Sequence, residues 1–136
     1  MTIEGQLIRG QAAPLGALAT LSDGKHVWNA DLQASLGGAE SAPDPHALLD
    51  SALAACTLLT LEVYLRRKQL AVRSLRVSVE HEEKATAEGV HYQLRRRLHI
   101  DGDLSDEERA RLLAIAEKCP IHRVLTGDIE IETALA

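Results

Sequence analysis

The chain has 136 residues, a length that a single domain with its own hydrophobic core can fill. Apolar residues make up 46% of it and charged residues 26%, which is typical of a soluble globular protein. Only Trp28, Tyr64 and Tyr92 are aromatic, so the core is predicted to be aliphatic and a platform for stacking bases is disfavoured. The formal net charge of −5 also argues against a nucleic-acid partner.

Two features of the sequence predict a cytoplasmic protein. The first ten residues lack the basic and apolar regions of a signal peptide, and the chain has two cysteines. In a reducing compartment a cysteine pair is more often catalytic, redox-active or metal-binding than a permanent crosslink. The apolar stretch from Leu48 to Leu65 has the length of a membrane span, but Asp50 and Glu62 lie inside it. We therefore interpret it as a buried helix and expect no membrane association.

Alternation and turn residues predict three short strands over residues 5–31, with a turn at Ser22-Asp23-Gly24. A long helix is predicted from about His46 to about Gln69. Because its middle is apolar nearly all round, it is expected to be buried on most sides. Its last residues, Arg66-Arg67-Lys68, suit the negative end of the helix dipole.

The second half begins with two alternating strands, near residues 74–80 and 90–100, joined by a hairpin at Glu88-Gly89. Arg96 interrupts the apolar face of the second strand. This position indicates either a strand bend with a snorkelling side chain or a cation delivered to a buried anionic site. Ser105 and Glu108 then have the spacing of a capping box at the start of a helix.

The chain is predicted to break at Cys119, because Pro120 suits the first turn of a new helix and not the interior of an old one. That short helix is expected to end at Gly127. Alternation of Ile129 and Ile131 predicts a final strand.

Three interpretations of Cys56 and Cys119 are open from the residues alone. Each can be a small buried hydrophobe, although a cysteine at a helix N-cap faces free N–H groups that favour the thiolate. A zinc site from Cys119 and His122 with His46 and Cys56 is disfavoured, because structural zinc sites usually use two close-spaced pairs. The third interpretation is a peroxide-reducing pair, in which one thiolate attacks the O–O bond and the second thiol forms a disulfide.

Two motifs resemble those of the OsmC-like family. Asp44-Pro45-His46-Ala47-Leu48-Leu49 with Ala52-Leu53-Ala54-Ala55-Cys56-Thr57 is similar to the start of that family's central helix. Cys119-Pro120-Ile121-His122-Arg123-Val124-Leu125 is similar to its second motif, and Leu36-Gly37-Gly38 to the preceding loop. The predicted element order matches as well, so the resemblance covers most of the chain.

The resemblance implies an α+β fold over residues 1–136 as one domain, and an intertwined homodimer with long central helices buried between curved antiparallel sheets. It also implies a thiol-dependent peroxidase of organic hydroperoxides that acts in oxidative stress defence without a cofactor or metal. Cys56 would be the peroxidatic cysteine and Cys119 the resolving one. A dithiol reductant, such as a lipoyl protein, would reopen the disulfide.

The chain departs from the organic hydroperoxide resistance branch of the family at the group that holds the thiolate. That branch carries a glutamate ten positions before the first cysteine, where this chain has His46, and an arginine in an N-terminal segment that is not evident here. Lys25, His26 and His46 are the candidate replacements, with Arg96 and Arg123 behind them. The resemblance is therefore to the less characterised OsmC-like branch.

Two other functions stay open at this stage. One is a non-catalytic protein that binds a small lipophilic ligand in the dimer cleft. The other is acyl transfer or hydrolysis by a thiol, with His46 or His122 as the base.

Overall fold

The computed structural model describes residues 1–9 and 17–136. The chain divides into two compact units, Met1–Leu49 and Asp50–Ala136, which are described separately. Antiparallel sheets and helices are both present, which confirms the predicted α+β class. The organisation as one domain over residues 1–136 stays a prediction.

The first unit contains a three-stranded antiparallel sheet. Its strands are β1 (Glu4–Arg9), β2 (Ala17–Ser22) and β3 (Val27–Ala30), in the order β1-β2-β3. Asp23 closes the turn between β2 and β3, because its carboxylate accepts hydrogen bonds from the backbone N–H groups of Lys25 and His26. Gly24 has φ 91°, a conformation that favours glycine. The three predicted strands and their turn are thus confirmed.

The loop after β3 is organised by the buried side chain of Asp31. Its carboxylate accepts hydrogen bonds from the Leu32 N–H at 2.7 Å, and from the N–H and hydroxyl of Ser41 at 3.0 and 2.6 Å. At Gly38 a Cβ atom would lie 1.9 Å from the carbonyl oxygen of Leu32. The packing of this loop therefore requires the second glycine of the Leu-Gly-Gly motif.

Helix α1 spans Pro45–Lys68, within one residue of its predicted bounds at each end. Strands β4 (Val72–Thr86) and β5 (Gly89–Gly102) follow as a long antiparallel hairpin. Gly89, at the turn, has φ 132°. The helix and the hairpin are confirmed.

The core of the second unit lies between α1, the hairpin and helix α2 (Asp106–Ala116). Four aliphatic side chains are its buried centre, and larger apolar side chains from the hairpin surround them. The four are Leu61, Leu65, Leu112 and Ala116. The predicted capping box starts α2: the Glu108 N–H donates to Ser105 Oγ, and the Ser105 N–H donates to Glu108 Oε1.

Only one face of α1 is buried in the single chain. The buried positions recur at helical spacing and are Leu53, Thr57, Leu61 and Leu65. On another face Leu59 and Val63 are 67% and 57% exposed. Burial on most sides stays a prediction for the dimer, because the single chain supplies a packing surface for one face only.

Helix α3 (Pro120–Thr126) follows the break at Cys119 and ends at Gly127, as predicted. The final strand is wrong. Residues 128–136 have no regular structure, and Ile129 and Ile131 are exposed. Alternation alone does not make a strand, because the backbone needs a neighbouring strand to bond.

Candidate thiol site

The structure brings Cys56 of α1 and Cys119, the N-cap of α3, to the same place. Both are free, Cys119 fully buried and Cys56 half-buried. The first turn of α3 donates to both sulfurs: the His122 N–H to Cys119 Sγ at 3.3 Å, and the Ile121 N–H to Cys56 Sγ at 3.5 Å. The nearby Cys56 thiol also lowers the pKa of Cys119. Two cysteines far apart in sequence thus form one dithiol site.

Thr57, the residue after Cys56, places a hydroxyl at this site. It is fully buried, and its Oγ1 donates to the Leu53 carbonyl at 2.7 Å. The same oxygen lies 4.0 Å from Cys119 Sγ. Cys56 Sγ has a comparable neighbour in Thr60, one helical turn further on, also at 4.0 Å.

Arg96 supplies the positive charge beside the thiols. Its Nη1 donates to Thr57 Oγ1 at 3.0 Å and lies 3.8 Å from Cys119 Sγ, and its Nη2 lies 3.0 Å from His122 Nδ1. Since an arginine carries donors only, His122 Nδ1 must accept and the ring proton lies on Nε2. The break in the alternation of β5 was the sequence signal for this residue, and the structure places the cation beside a buried thiol.

These contacts change the acidity of Cys119. Burial raises the pKa of its thiol, because a thiolate loses hydration there. The hydrogen bond from the His122 N–H, the neighbouring Cys56 thiol and Thr57 hydroxyl, and the charge of Arg96 together lower the pKa by more than burial raises it. The pKa of Cys119 therefore lies below its ordinary value, and the thiolate is favoured.

The three residues predicted as polar partners of the thiols, Lys25, His26 and His46, lie in the first unit. His26 Nδ1 is 2.9 Å from Asp23 Oδ2, and the Lys25 N–H donates to the same carboxylate. His46 Nδ1 is 3.9 Å from Asp44 Oδ2. A contribution of Lys25, His26 or His46 to the thiol site stays a prediction.

A cavity of about 310 Å³ opens beside the Arg96–His122 pair. Glu117, the C-cap of α2, also lines it. The rest of its wall is largely apolar, with side chains from α1, β5, α2 and α3. These include Leu53, Leu94, Leu98, Leu113 and Leu125. Across residues 1–9 and 17–136 there is no cluster of three or more His, Cys, Asp or Glu side chains placed to hold a metal ion.

A polar cluster that the sequence did not indicate joins α1 to the hairpin. Asp50 accepts from the Tyr92 hydroxyl at 2.9 Å and is bonded to His81 Nδ1 at 2.5 Å. The His81 and Tyr92 rings stack with their centroids 5.0 Å apart. Tyr92 also lines the cavity beside Arg96, so this cluster fixes one of its walls.

Several solved structures share this fold. An organic hydroperoxide resistance protein OsmC from Legionella pneumophila is 23% identical, with a TM-score of 0.69 over 93% of this chain and 90% of that one. An OsmC-like protein of unknown function from Vibrio cholerae is 15% identical, with a TM-score of 0.72 over 92% of each chain. An organic hydroperoxide resistance protein from Elizabethkingia anophelis is 19% identical, with a TM-score of 0.70 over 96% and 91%.

No curated protein shows significant similarity to the sequence. The family model described as OsmC-like protein matches residues 37–134, which include α1, the hairpin and both cysteines. The chain therefore belongs to the OsmC-like protein family, as its two cysteine motifs predicted.

Proposed function

We propose that this protein is a thiol-dependent peroxidase that reduces organic hydroperoxides in oxidative stress defence. The observation that carries the proposal is the dithiol site, where the first turn of α3 donates one backbone N–H to the sulfur of Cys56 and one to the sulfur of Cys119. Two of the structural relatives are named as organic hydroperoxide resistance proteins, which supports the same role.

The reaction needs two thiols and one hydroperoxide. The sulfur of Cys56 attacks the terminal oxygen of the hydroperoxide, so that an S–O bond forms and the O–O bond breaks. The products are an alcohol and the sulfenic acid of Cys56. The Cys119 thiolate then attacks this sulfenic acid and releases hydroxide, which leaves a Cys56–Cys119 disulfide. A dithiol reductant, such as a lipoyl protein, supplies two electrons to reopen it.

Cys56 is assigned the first attack because it is half-buried, whereas Cys119 is fully buried. A hydroperoxide must reach the attacking sulfur, but the resolving sulfur needs only to reach its neighbour. The leucine-lined cavity beside Arg96 suits an organic substrate better than hydrogen peroxide, because apolar walls gain from covering apolar groups.

We also propose that the working form is a cytoplasmic homodimer. The resemblance to the family implies a central helix buried in a dimer, and α1 has exposed apolar side chains that include Leu59 and Val63. A second copy would cover this face and remove its apolar surface from water.

Peroxide consumption by wild type, Cys56→Ser and Cys119→Ser, with a dithiol as reductant, tests the proposal. Wild type is expected to turn over. Cys56→Ser is expected to be inactive, and Cys119→Ser to react once and retain one added oxygen on Cys56 by peptide mass. Full turnover by Cys56→Ser would overturn the assignment.

The cavity supports a second candidate, a protein that binds a small lipophilic ligand without catalysis. It predicts an inert wild type towards hydroperoxide, together with saturable binding of an apolar fluorescent probe that Leu94→Trp or Leu113→Trp weakens. Reaction of Cys56 at one equivalent of hydroperoxide would exclude it.

A further inference from the structure

We propose that Arg96 holds Cys119 as the resting thiolate of the pair, and that this thiolate accepts the proton of Cys56 when Cys56 attacks the hydroperoxide. The inference rests on the proposed function for the attack itself. The location of the resting negative charge is independent of it. Arg96 acts here as a positioning residue, since it contacts the accepting sulfur and not the attacking one.

The hydrogen-bond donors around the two sulfurs are unequal. Cys119 Sγ has the His122 N–H at 3.3 Å and the Arg96 guanidinium at 3.8 Å, and it is fully buried. Cys56 Sγ has the Ile121 N–H at 3.5 Å and no charged donor among its described contacts. A single negative charge shared by the two sulfurs is therefore better stabilised on Cys119.

The ion pairs among the described residues also favour a negative charge on Cys119. Four other arginines lie within ion-pair distance of carboxylates, namely Arg66, Arg73, Arg95 and Arg97. Among the described residues no carboxylate forms an ion pair with Arg96. A partly buried guanidinium without an anion is unfavourable, and the sulfur of Cys119 is the ionisable acid in contact with it.

Groups from four elements face this sulfur or its arginine. They are Cys56 from α1, Arg96 from β5, Glu117 at the C-cap of α2 and His122 from α3. His122 accepts from Arg96 through Nδ1 and is therefore neutral in this arrangement. Glu117 shares the cavity with Arg96 but makes no ion pair with it. Among the described residues, Arg96 is thus the positively charged side chain in contact with this sulfur.

The proton then follows a closed path. As the sulfur of Cys56 bonds to the terminal oxygen of the hydroperoxide, its proton passes to Cys119 and the O–O bond breaks to leave an alkoxide. Cys119 gives that proton to the alkoxide, which becomes the alcohol. Cys119 is again a thiolate and attacks the Cys56 sulfenic acid, releasing hydroxide. Cys119 therefore ceases to be a thiolate only when its sulfur forms the disulfide with Cys56.

The test is a titration of Cys119 without any peroxide. In Cys56→Ser the serine keeps a hydroxyl donor beside Cys119, which is then the only thiol. Thiolate absorbance and the pH profile of alkylation by iodoacetamide, read by intact mass, are both measured. We expect Cys119 to titrate below free cysteine, whose pKa is about 8.5. Titration at or above that value would overturn the inference.

Arg96→Met and Arg96→Lys, each in the Cys56→Ser background, test the arginine itself. Arg96→Met is expected to raise the Cys119 pKa, so that alkylation of Cys119 at neutral pH becomes slower. Arg96→Lys should recover part of the shift. An unchanged titration in a folded Arg96→Met variant would overturn the role of Arg96.

The outcomes separate this inference from the proposed function. A depressed Cys119 pKa in a protein that does not reduce hydroperoxides would leave the resting thiolate established and remove the peroxidase. Turnover of hydroperoxide with an ordinary Cys119 pKa would support the peroxidase and remove the resting thiolate.

Discussion

The guanidinium of Arg96 lies 3.8 Å from the sulfur of Cys119 and, through its other terminal nitrogen, 3.0 Å from His122 Nδ1. This relationship joins β5 to the first and last residues, Cys119 and His122, of the Cys-Pro-Ile-His segment. It gives the dithiol site a cation from β5.

Thr57→Val removes the hydroxyl that accepts from Arg96 while keeping the shape of the side chain. We expect it to lower the free energy of unfolding by about 1–2 kcal/mol, because the arginine loses an acceptor at a buried site. It should also raise the pKa of Cys119. Denaturant melts and thiolate titration measure the two effects. Thr60→Val, one turn along α1, is the control, and equal effects in both variants would contradict a special role for Thr57.

Leu59→Asp tests the homodimer. The wild type is expected to have twice the chain mass of 14.8 kDa by light scattering, and Leu59→Asp to shift toward the monomer, because a carboxylate cannot be buried unpaired in an apolar interface. Val90→Asp places the same charge on an exposed valine of the hairpin and should remain dimeric. A monomeric wild type would contradict the assembly.

Asp31 predicts an acid-sensitive loop before α1. The hydroxyl of Ser41, its N–H and the N–H of Leu32 lower the pKa of this carboxyl in the folded protein. Its stabilisation is therefore complete above the unfolded pKa of about 3.9 and is lost as the pH falls through the lower folded pKa. Asp31→Asn should be less stable at neutral pH and lose less stability on acidification. Urea melts across pH measure this, with exposed Glu40→Gln as control; parallel pH profiles for wild type and Asp31→Asn would refute it.

Gly38→Ala should destabilise the same loop, because the added methyl group would occupy the position of the Leu32 carbonyl. Overpacking of this kind costs about 1–3 kcal/mol. Thermal and denaturant unfolding provide the measurement. Ala39→Ser, at the exposed neighbouring position, should be nearly neutral. A neutral Gly38→Ala would show that the loop can move away from the clash.

Local patterns predicted most of the fold. The apolar run and its basic end located α1, alternation located β4 and β5, and the Ser105–Glu108 spacing located the start of α2. These signals depend on neighbours within a few residues. The final strand failed because pairing needs a second strand, which no local pattern supplies.

The site was harder to predict because its contacts are distant in sequence. The motifs identified both cysteines, but Arg96 meets Thr57 across 39 positions and Cys119 across 23. Which cation reaches the thiols depends on the register of β5 against α1 and α3. The sequence showed that Arg96 interrupts the apolar face of β5, but it did not show that Arg96 contacts Cys119. Asp50, His81 and Tyr92 meet for the same reason and left no sequence signal.

The most direct test of the dithiol peroxidase is the reaction of fully reduced wild type with one equivalent of cumene hydroperoxide, followed by intact mass and peptide mapping. We predict rapid loss of both thiols, a mass lower by two hydrogens and a Cys56–Cys119 disulfide, with one cumyl alcohol formed per chain. Survival of both thiols in excess hydroperoxide would contradict the account.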